Sequence, residues 1–170
     1  MSGRIEVTLA ERAEAQVLGN LLQFYVHDFS EFWAGSARGE LENSGRFWDW
    51  PLEDYWRDEE RVPLLIRAGG SLAGFALLDR TSHTGKRVDR NMAEFFIVRK
   101  HRRCGAGTVA ARTIFSRYPG VWEAAVARPN LAALAFWRRA AGRHPAVTEI
   151  EETDFRTQAW DGPILRFRVG

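Results

Sequence analysis

The sequence predicts a mixed α/β fold: a mostly antiparallel sheet with one central parallel strand–helix–strand crossover, and helices on both faces. Three stretches carry this expectation. Residues Phe95 to Val98 form an apolar run rich in aromatic and β-branched residues, the composition of a buried strand. A basic loop, Arg99 to Arg103, then Gly105-Ala106-Gly107, leads to Val109, Ile114 and Phe115 at helical spacing, and Val121 to Ala127 reads as the next strand. Elsewhere Val62 to Ala68 and Ser71 to Leu78 flank Gly69-Gly70 as a β-hairpin, and Ala146 to Glu151 and Ile164 to Val169 read as two closing strands.

The remaining elements follow in order. Arg4 to Leu9 alternates weakly, as a first strand does. Ala10-Glu11 opens an amphipathic helix with Ala13, Val17, Leu21, Leu22, Phe24 and Tyr25 on its apolar face, fading near His27 to Ser30. Residues Glu31 to Arg61 differ in kind: four of the seven tryptophans lie here, with Glu31, Glu40, Glu42, Asp49, Glu53, Asp54 and Asp58 between the aromatics. Helical pattern returns weakly from Pro51 to Glu60. Such a segment can pack its rings on the sheet and leave its acids in water, or it can wall a pocket for a protonated amine. Thr81 to Asn91 is a polar loop. After Val121 to Ala127, Pro129-Asn130 break the chain and cap a helix, Leu131 to Ala141, that stops at Gly142. Asp161-Gly162 signals a turn between the last two strands. No repeat, linker or low-complexity tract divides the chain, so residues 1–170 are expected to form one domain.

Composition narrows the function classes. Lysine and arginine total 24 against 22 aspartate and glutamate, a balance that demands neither a nucleic-acid nor a membrane partner. A single cysteine excludes an internal disulfide and points to a reducing compartment. With no signal core and no segment long enough to span a bilayer, the expected location is the cytoplasm. His27, His83, His101 and His144 show no ligand spacing, so no metal is expected.

The glycine loop admits three readings. It can be a helix start behind a solvated basic turn. Gly105, Gly107 and Ala110 also satisfy a dinucleotide fingerprint, although a basic spacer separates them from their strand. Or it can hold a phosphate or pyrophosphate on the free N–H groups of the helix start, helped by the charges of Arg102 and Arg103. The full phrase Arg102-x-x-Gly105-x-Gly107 resembles the acyl-coenzyme A loop of the GNAT N-acetyltransferase superfamily. Downstream, Asn130-x-x-Ala133-x-x-Phe136-Trp137 resembles that family's second signature helix, in the family's order and separation. The resemblance covers Ala93 to Gly142.

It implies an N-acetyltransferase that moves the acetyl group of acetyl-coenzyme A to the amine of a small molecule or peptide, without a metal. The same features admit a non-catalytic acyl-coenzyme A-binding module, and leave a homodimer open. The resemblance places the donor on Arg102, Arg103, Cys104, Gly105, Ala106, Gly107 and Thr108, and on Asn130, Phe136 and Trp137. A backbone N–H at Ile97 or Val98 would meet the carbonyl oxygen. Glu94 is the candidate base, on a strand whose alternation puts it beside Phe96 and Val98. Many members carry a tyrosine where this chain has Trp137, whose indole cannot supply a proton. Either the thiolate then leaves with help from water, or Tyr25, Tyr55 or Tyr118 serves as the acid, with Tyr118, at the expected end of the crossover helix, ranked last. Cys104 could be reactive at a helix start, but no His–Asp pairing accompanies it. The acidic aromatic segment, with Asp28, Trp33, Trp50, Asp54 and Tyr55, is expected to form an acceptor wall that favours cationic amines.

Overall fold

The computed structural model describes residues 3–170. Seven strands form one sheet in the order β1-β2-β3-β4-β5-β7-β6. They are β1 (Ile5–Leu9), β2 (Val62–Ala68), β3 (Ser71–Asp79), β4 (Arg90–Ile97), β5 (Gly120–Ala125), β6 (Val147–Arg156) and β7 (Asp161–Val169). Every neighbouring pair is antiparallel except β4 and β5, which are joined through helix α3 (Ala106–Arg117). Helix α1 (Ala15–Ser30) lies on one face of the sheet with the aromatic segment, which contributes the single-turn helix α2 (Asp54–Arg57). Helices α3 and α4 (Leu131–Gly142) cover the other face.

Two cores result, divided by the sheet. Ile114, Phe115, Trp122, Trp137 and Phe167 fill the α3–α4 side, where Phe115 meets Trp122 and Phe167 edge-on with ring centres 5.0 and 5.1 Å apart. Leu18, Leu22, Tyr25, Phe75 and Phe96 fill the α1 side. The Gly-Gly hairpin and the crossover fall where the periodicity predicts them.

Several boundaries differ from expectation. The first helix begins after a 3-10 turn, Arg12–Glu14, closed by reciprocal hydrogen bonds between Glu11 and Glu14. It runs through Ser30 and buries Leu18, Leu21, Leu22, Tyr25 and Val26. Phe24 is 61% exposed, because a neighbour of Tyr25 turns about 100° away from the stripe it occupies. The helix expected from Pro51 to Glu60 shrinks to Asp54–Arg57. Gly142 is the last helical residue of α4, and Arg143 is its cap. The closing strands are longer than their apolar cores, and the turn between them falls at residues 157–160. β6 is almost wholly exposed at the sheet edge, so it lacks the alternation that would reveal it. Asp161-Gly162 therefore lies within β7. Gly162 has φ 144°, and a Cβ there would stand 2.1 Å from the Val126 carbonyl oxygen, so the glycine permits close passage of two chains.

Candidate active site

The site is organised by a gap in the sheet. β4 and β5 pair only at Arg90–Trp122 and Asn91–Glu123, and beyond these residues they part. A cleft of about 570 Å³ opens at the gap, reached by Glu94 and Phe95 of β4, by Ala125 to Ala127 after β5, and by Asn130 and Trp137 of the α4 region. Its other wall is aromatic. Tyr25, Phe29 and Trp33 form a chain of rings with centres 4.6 and 5.9 Å apart, and Trp50 meets Tyr25 edge-on at 6.1 Å. Gln23 holds this wall to α1, accepting from the Phe47 N–H at 2.9 Å and donating to the Phe47 carbonyl at 3.2 Å.

Glu94 lies part-buried on the cleft floor, on the α1 face with Phe96 as strand alternation predicts. Burial dominates its titration and pushes its carboxyl up to about 7; the Tyr25 hydrogen bond and the Arg38 charge pull the other way. The Tyr25 hydroxyl donates to Glu94 Oε2. Burial, then the Glu94 charge, holds the Tyr25 phenol well above its ordinary value, so it stays protonated as a donor. Tyr55 is buried outside the cleft, and its phenol is raised, mainly by burial. Tyr118 caps the C-terminal end of α3 and does not line the cleft.

On the α3 side, the loop after β4 turns through Arg99–His101. It reaches Arg103 and Gly105 at φ 61° and 88°, the left-handed region that glycine adopts freely. The first bond of the α3 ladder runs from the Val109 N–H to the Gly105 carbonyl, so the N–H groups of Ala106, Gly107 and Thr108 stay outside it. Ala106 is buried, while Gly107 and Thr108 are half-buried. Among the described residues Lys100 and Arg103 have no carboxylate within salt-bridge distance. Free N–H groups, a helix N-terminus and two unpaired cations fit a pyrophosphate.

Arg102 is engaged within the protein. Its Nε donates to the Ile97 carbonyl at 2.6 Å, and its Nη2 pairs with Asp28, which also accepts from Arg99 Nη2 at 2.9 Å. Partial burial alone would raise the Asp28 carboxyl, but its two arginines outweigh burial and hold it below the ordinary value. Asp28 is thus a tie between α1 and the loop and does not line the cleft. Asp54 is exposed and also lies outside it, whereas Trp33 and Trp50 line it. The Val98 N–H donates to the Ala73 carbonyl at 2.8 Å and is not free for a ligand; by alternation the Ile97 N–H points the opposite way, toward the gap. Cys104 is exposed, with Sγ 3.0 Å from the His101 carbonyl oxygen.

Asn130 caps α4, its Oδ1 accepting the Ala133 N–H at 3.1 Å, and it reaches the cleft. Phe136 stacks on Phe95 with centres 5.5 Å apart, and Trp137 meets Phe95 edge-on at 5.1 Å. Gly107 packs against this pair: a Cβ on it would stand 3.3 Å from Phe136.

Sequence reasoning passed over the far end of the cleft. Asp79 and Asn91 reach it from adjacent strands, and Trp160 from the last turn meets His83 with ring centres 4.9 Å apart. The loop carrying His83 is anchored on Glu123, a fully buried carboxylate. Glu123 accepts from Ser82 Oγ at 3.1 Å, the His83 N–H at 2.8 Å, Thr84 Oγ1, and Arg166 Nη1 at 2.9 Å. Glu123 is visible in the sequence as an acid inside an apolar run, but its partners lie about 40 residues away. Among the described residues no group of three or more His, Cys, Asp and Glu side chains is arranged for a metal ion, and no helix is long and apolar enough to cross a membrane.

Comparison with known proteins returns one family: the model of the acetyltransferase (GNAT) family matches residues 21–142. No curated protein matches the chain. Among solved structures, an acetyltransferase from Thermus thermophilus superposes with a TM-score of 0.66 at 16% identity, over 100% of both chains. A spermidine N-acetyltransferase chimera from Vibrio cholerae and hSSAT gives 0.57 at 12% identity, over 98% of this chain and 95% of its own. The ribosomal-protein-S18-alanine N-acetyltransferase from Escherichia coli gives 0.55 at 10%, over 98% and 93%.

Proposed function

This chain belongs to the GNAT acetyltransferase family, and from that premise we propose that it moves an acetyl group from acetyl-coenzyme A to an amine by direct attack in a ternary complex. The observation that carries the reading is Glu94: a carboxyl raised to about 7, set where β4 and β5 part and facing an aromatic cleft. A base poised near neutral pH can take a proton from an attacking amine and later release it to water.

The residues divide the work. The N–H groups of Ala106, Gly107 and Thr108, with Arg103 and Lys100, hold the pyrophosphate; Arg102 shapes the loop through Asp28 and Ile97. Asn130, Phe136 and Trp137 line the route of the pantetheine arm into the gap. Acetyl-coenzyme A supplies the thioester and a thiolate that leaves. The Ile97 N–H meets the oxygen of the carbonyl under attack. The amine nitrogen bonds to that carbon, the carbon–sulfur bond breaks, and the proton of the amine passes to Glu94. Trp137 cannot protonate the thiolate, and the raised Tyr25 phenol holds its proton for Glu94, so solvent protonates the sulfur. Tyr25 is therefore a positioning residue.

Turnover of acetyl-coenzyme A against a panel of small primary amines and short peptides tests the reading. Thiol release should climb as pH rises through about 7 and fall about 100-fold or more in Glu94→Gln. Coenzyme A binding without turnover of any amine would leave a binding module instead.

A further inference from the structure

The acceptor end of the cleft holds a second feature. The β3–β4 register pairs Leu77 with Glu94 and Leu78 with Met92, which leaves Ala93 as a bulge. Met92 and Phe95 consequently pack on the α3–α4 core, while Glu94 and Phe96 face α1. Asn91 joins that same α1 face, pairing in register with Asp79. The bulge thus aligns Asn91 and Glu94 about two strand positions apart, roughly 7 Å along the chain.

Asn91 is only 1% exposed. Its Nδ2 donates to Asp79 Oδ1 at 2.8 Å, and a carboxylate at that end fixes which way the amide points. The remaining atom is the acceptor, Asn91 Oδ1, which is buried and has no hydrogen-bond partner although Asn91 lines the cleft. An unmet buried acceptor is costly, and it asks for a donor. Asp79 sits beside it, accepting at 3.0 Å from both the N–H and the hydroxyl of Thr81, with no cationic partner among the described residues. Among the described residues Arg38 is the one arginine lining the cleft; it is exposed, and its guanidinium lies over the Trp33 ring at 4.2 Å. The site therefore offers a carboxylate and a free carbonyl oxygen to one ligand group, and aromatic faces to whatever links that group to Glu94.

Resting on the amine-acetylating reading, we propose that Asp79 and Asn91 Oδ1 form a subsite for an ammonium group, so that the acceptor is a small diamine. Its far nitrogen stays protonated in this subsite while its near nitrogen reacts beside Glu94. A short methylene chain spans the distance, covered by Tyr25, Phe29 and Trp50. The charge expected of Asp28 and Asp54 is supplied here by Asp79.

The test compares 1,4-diaminobutane with butylamine, which present the same reacting amine with and without the second ammonium. In the parent protein kcat/KM should favour the diamine by about tenfold or more, the scale of a hydrogen bond to a charged group. In Asp79→Asn the ratio should fall toward one. Thr81→Ala removes a hydroxyl from the same carboxylate but keeps its charge, and should keep the preference; this separates recognition from a structural role for the Thr81 turn. Acetylation of both amines with a ratio near one in the parent, or a ratio unmoved by Asp79→Asn, overturns the subsite and leaves the acetyltransferase reading standing. Should neither amine be acetylated, that reading fails for these acceptors, and calorimetry with coenzyme A present still decides the subsite. Diamine binding that exceeds butylamine binding and is lost in Asp79→Asn upholds it, and equal binding of the two amines sinks it.

Discussion

Tyr25 of α1 donates its hydroxyl hydrogen to the Glu94 carboxylate of β4, joining residues 69 positions apart. This bond favours the charged form of Glu94 and works against the burial that raises its pKa. Tyr25→Phe removes that support, so the acidic limb of the kcat/KM profile should move to higher pH. Because the Tyr25 phenol titrates well above its ordinary 10.0 in the parent, it should contribute no alkaline limb to either profile. A limb that stays in place after the change would belong to another group.

The same carboxyl makes stability fall with pH. Raised from an ordinary 4.5 to about 7, it binds its proton more tightly in the folded state. Its stabilising contribution is complete below 4.5 and is lost as pH rises through about 7, a change of the order of 3 kcal/mol. Glu94→Gln resembles the protonated form at every pH. The variant should therefore denature close to the parent at pH 5 and at a clearly higher temperature at pH 8, while losing activity. Equal melting temperatures at pH 8 would show that burial of the charge costs the fold nothing.

Gly107 serves packing as well as anion approach. A side chain there would press on Phe136, 3.3 Å from its ring, and touch Ile97 at 3.5 Å. Gly107→Val should therefore cost about 1–3 kcal/mol of stability through overpacking, in addition to any loss of coenzyme A binding. Arg103→Gly is the cleaner probe. It removes a cation while placing at φ 61° the residue that tolerates it best. Calorimetry should find coenzyme A affinity down by about 3- to 10-fold with the melting temperature unchanged or raised.

Asp28→Asn tests the tie between α1 and the loop. The depressed carboxyl contributes stability that is present above its ordinary pKa and lost as pH falls through its lowered one. The variant should accordingly be less stable than the parent at neutral pH, with the difference shrinking toward pH 3. Freed from Asp28, Arg99 and Arg102 should let the loop move, weakening coenzyme A binding and leaving the selectivity among amines alone. Altered amine selectivity with intact coenzyme A affinity would return Asp28 to the acceptor wall.

What could be read from the chain was local. The strand–loop–helix around Gly105, the Asn130 cap and the Gly-Gly hairpin depend on residues a few positions apart, and the periodicities of Phe95 to Val98 and of α1 report their own burial. What escaped was set by distance. The partner of Arg102 lies 74 residues upstream, so its charge reads as free in the sequence. The bulge at Ala93 has no marker residue, yet it decides that Asn91 faces the same way as Glu94. β6 is a strand because β7 pairs with it, and its solvated residues leave no pattern.

The parting of β4 from β5 also has a meaning for the solvent. Two residue pairs join them, so the two halves of the sheet are linked by a short ladder at Arg90 and Asn91. Amide hydrogens deep within a sheet ordinarily exchange with water last. Here the Ile97 amide, facing the gap, should exchange early although the strand that carries it is central, while the Val98 amide, held by Ala73, should exchange late. A donor molecule seated in the gap would slow the first and leave the second untouched, so deuterium uptake at these two adjacent positions reports occupancy without any chemistry taking place.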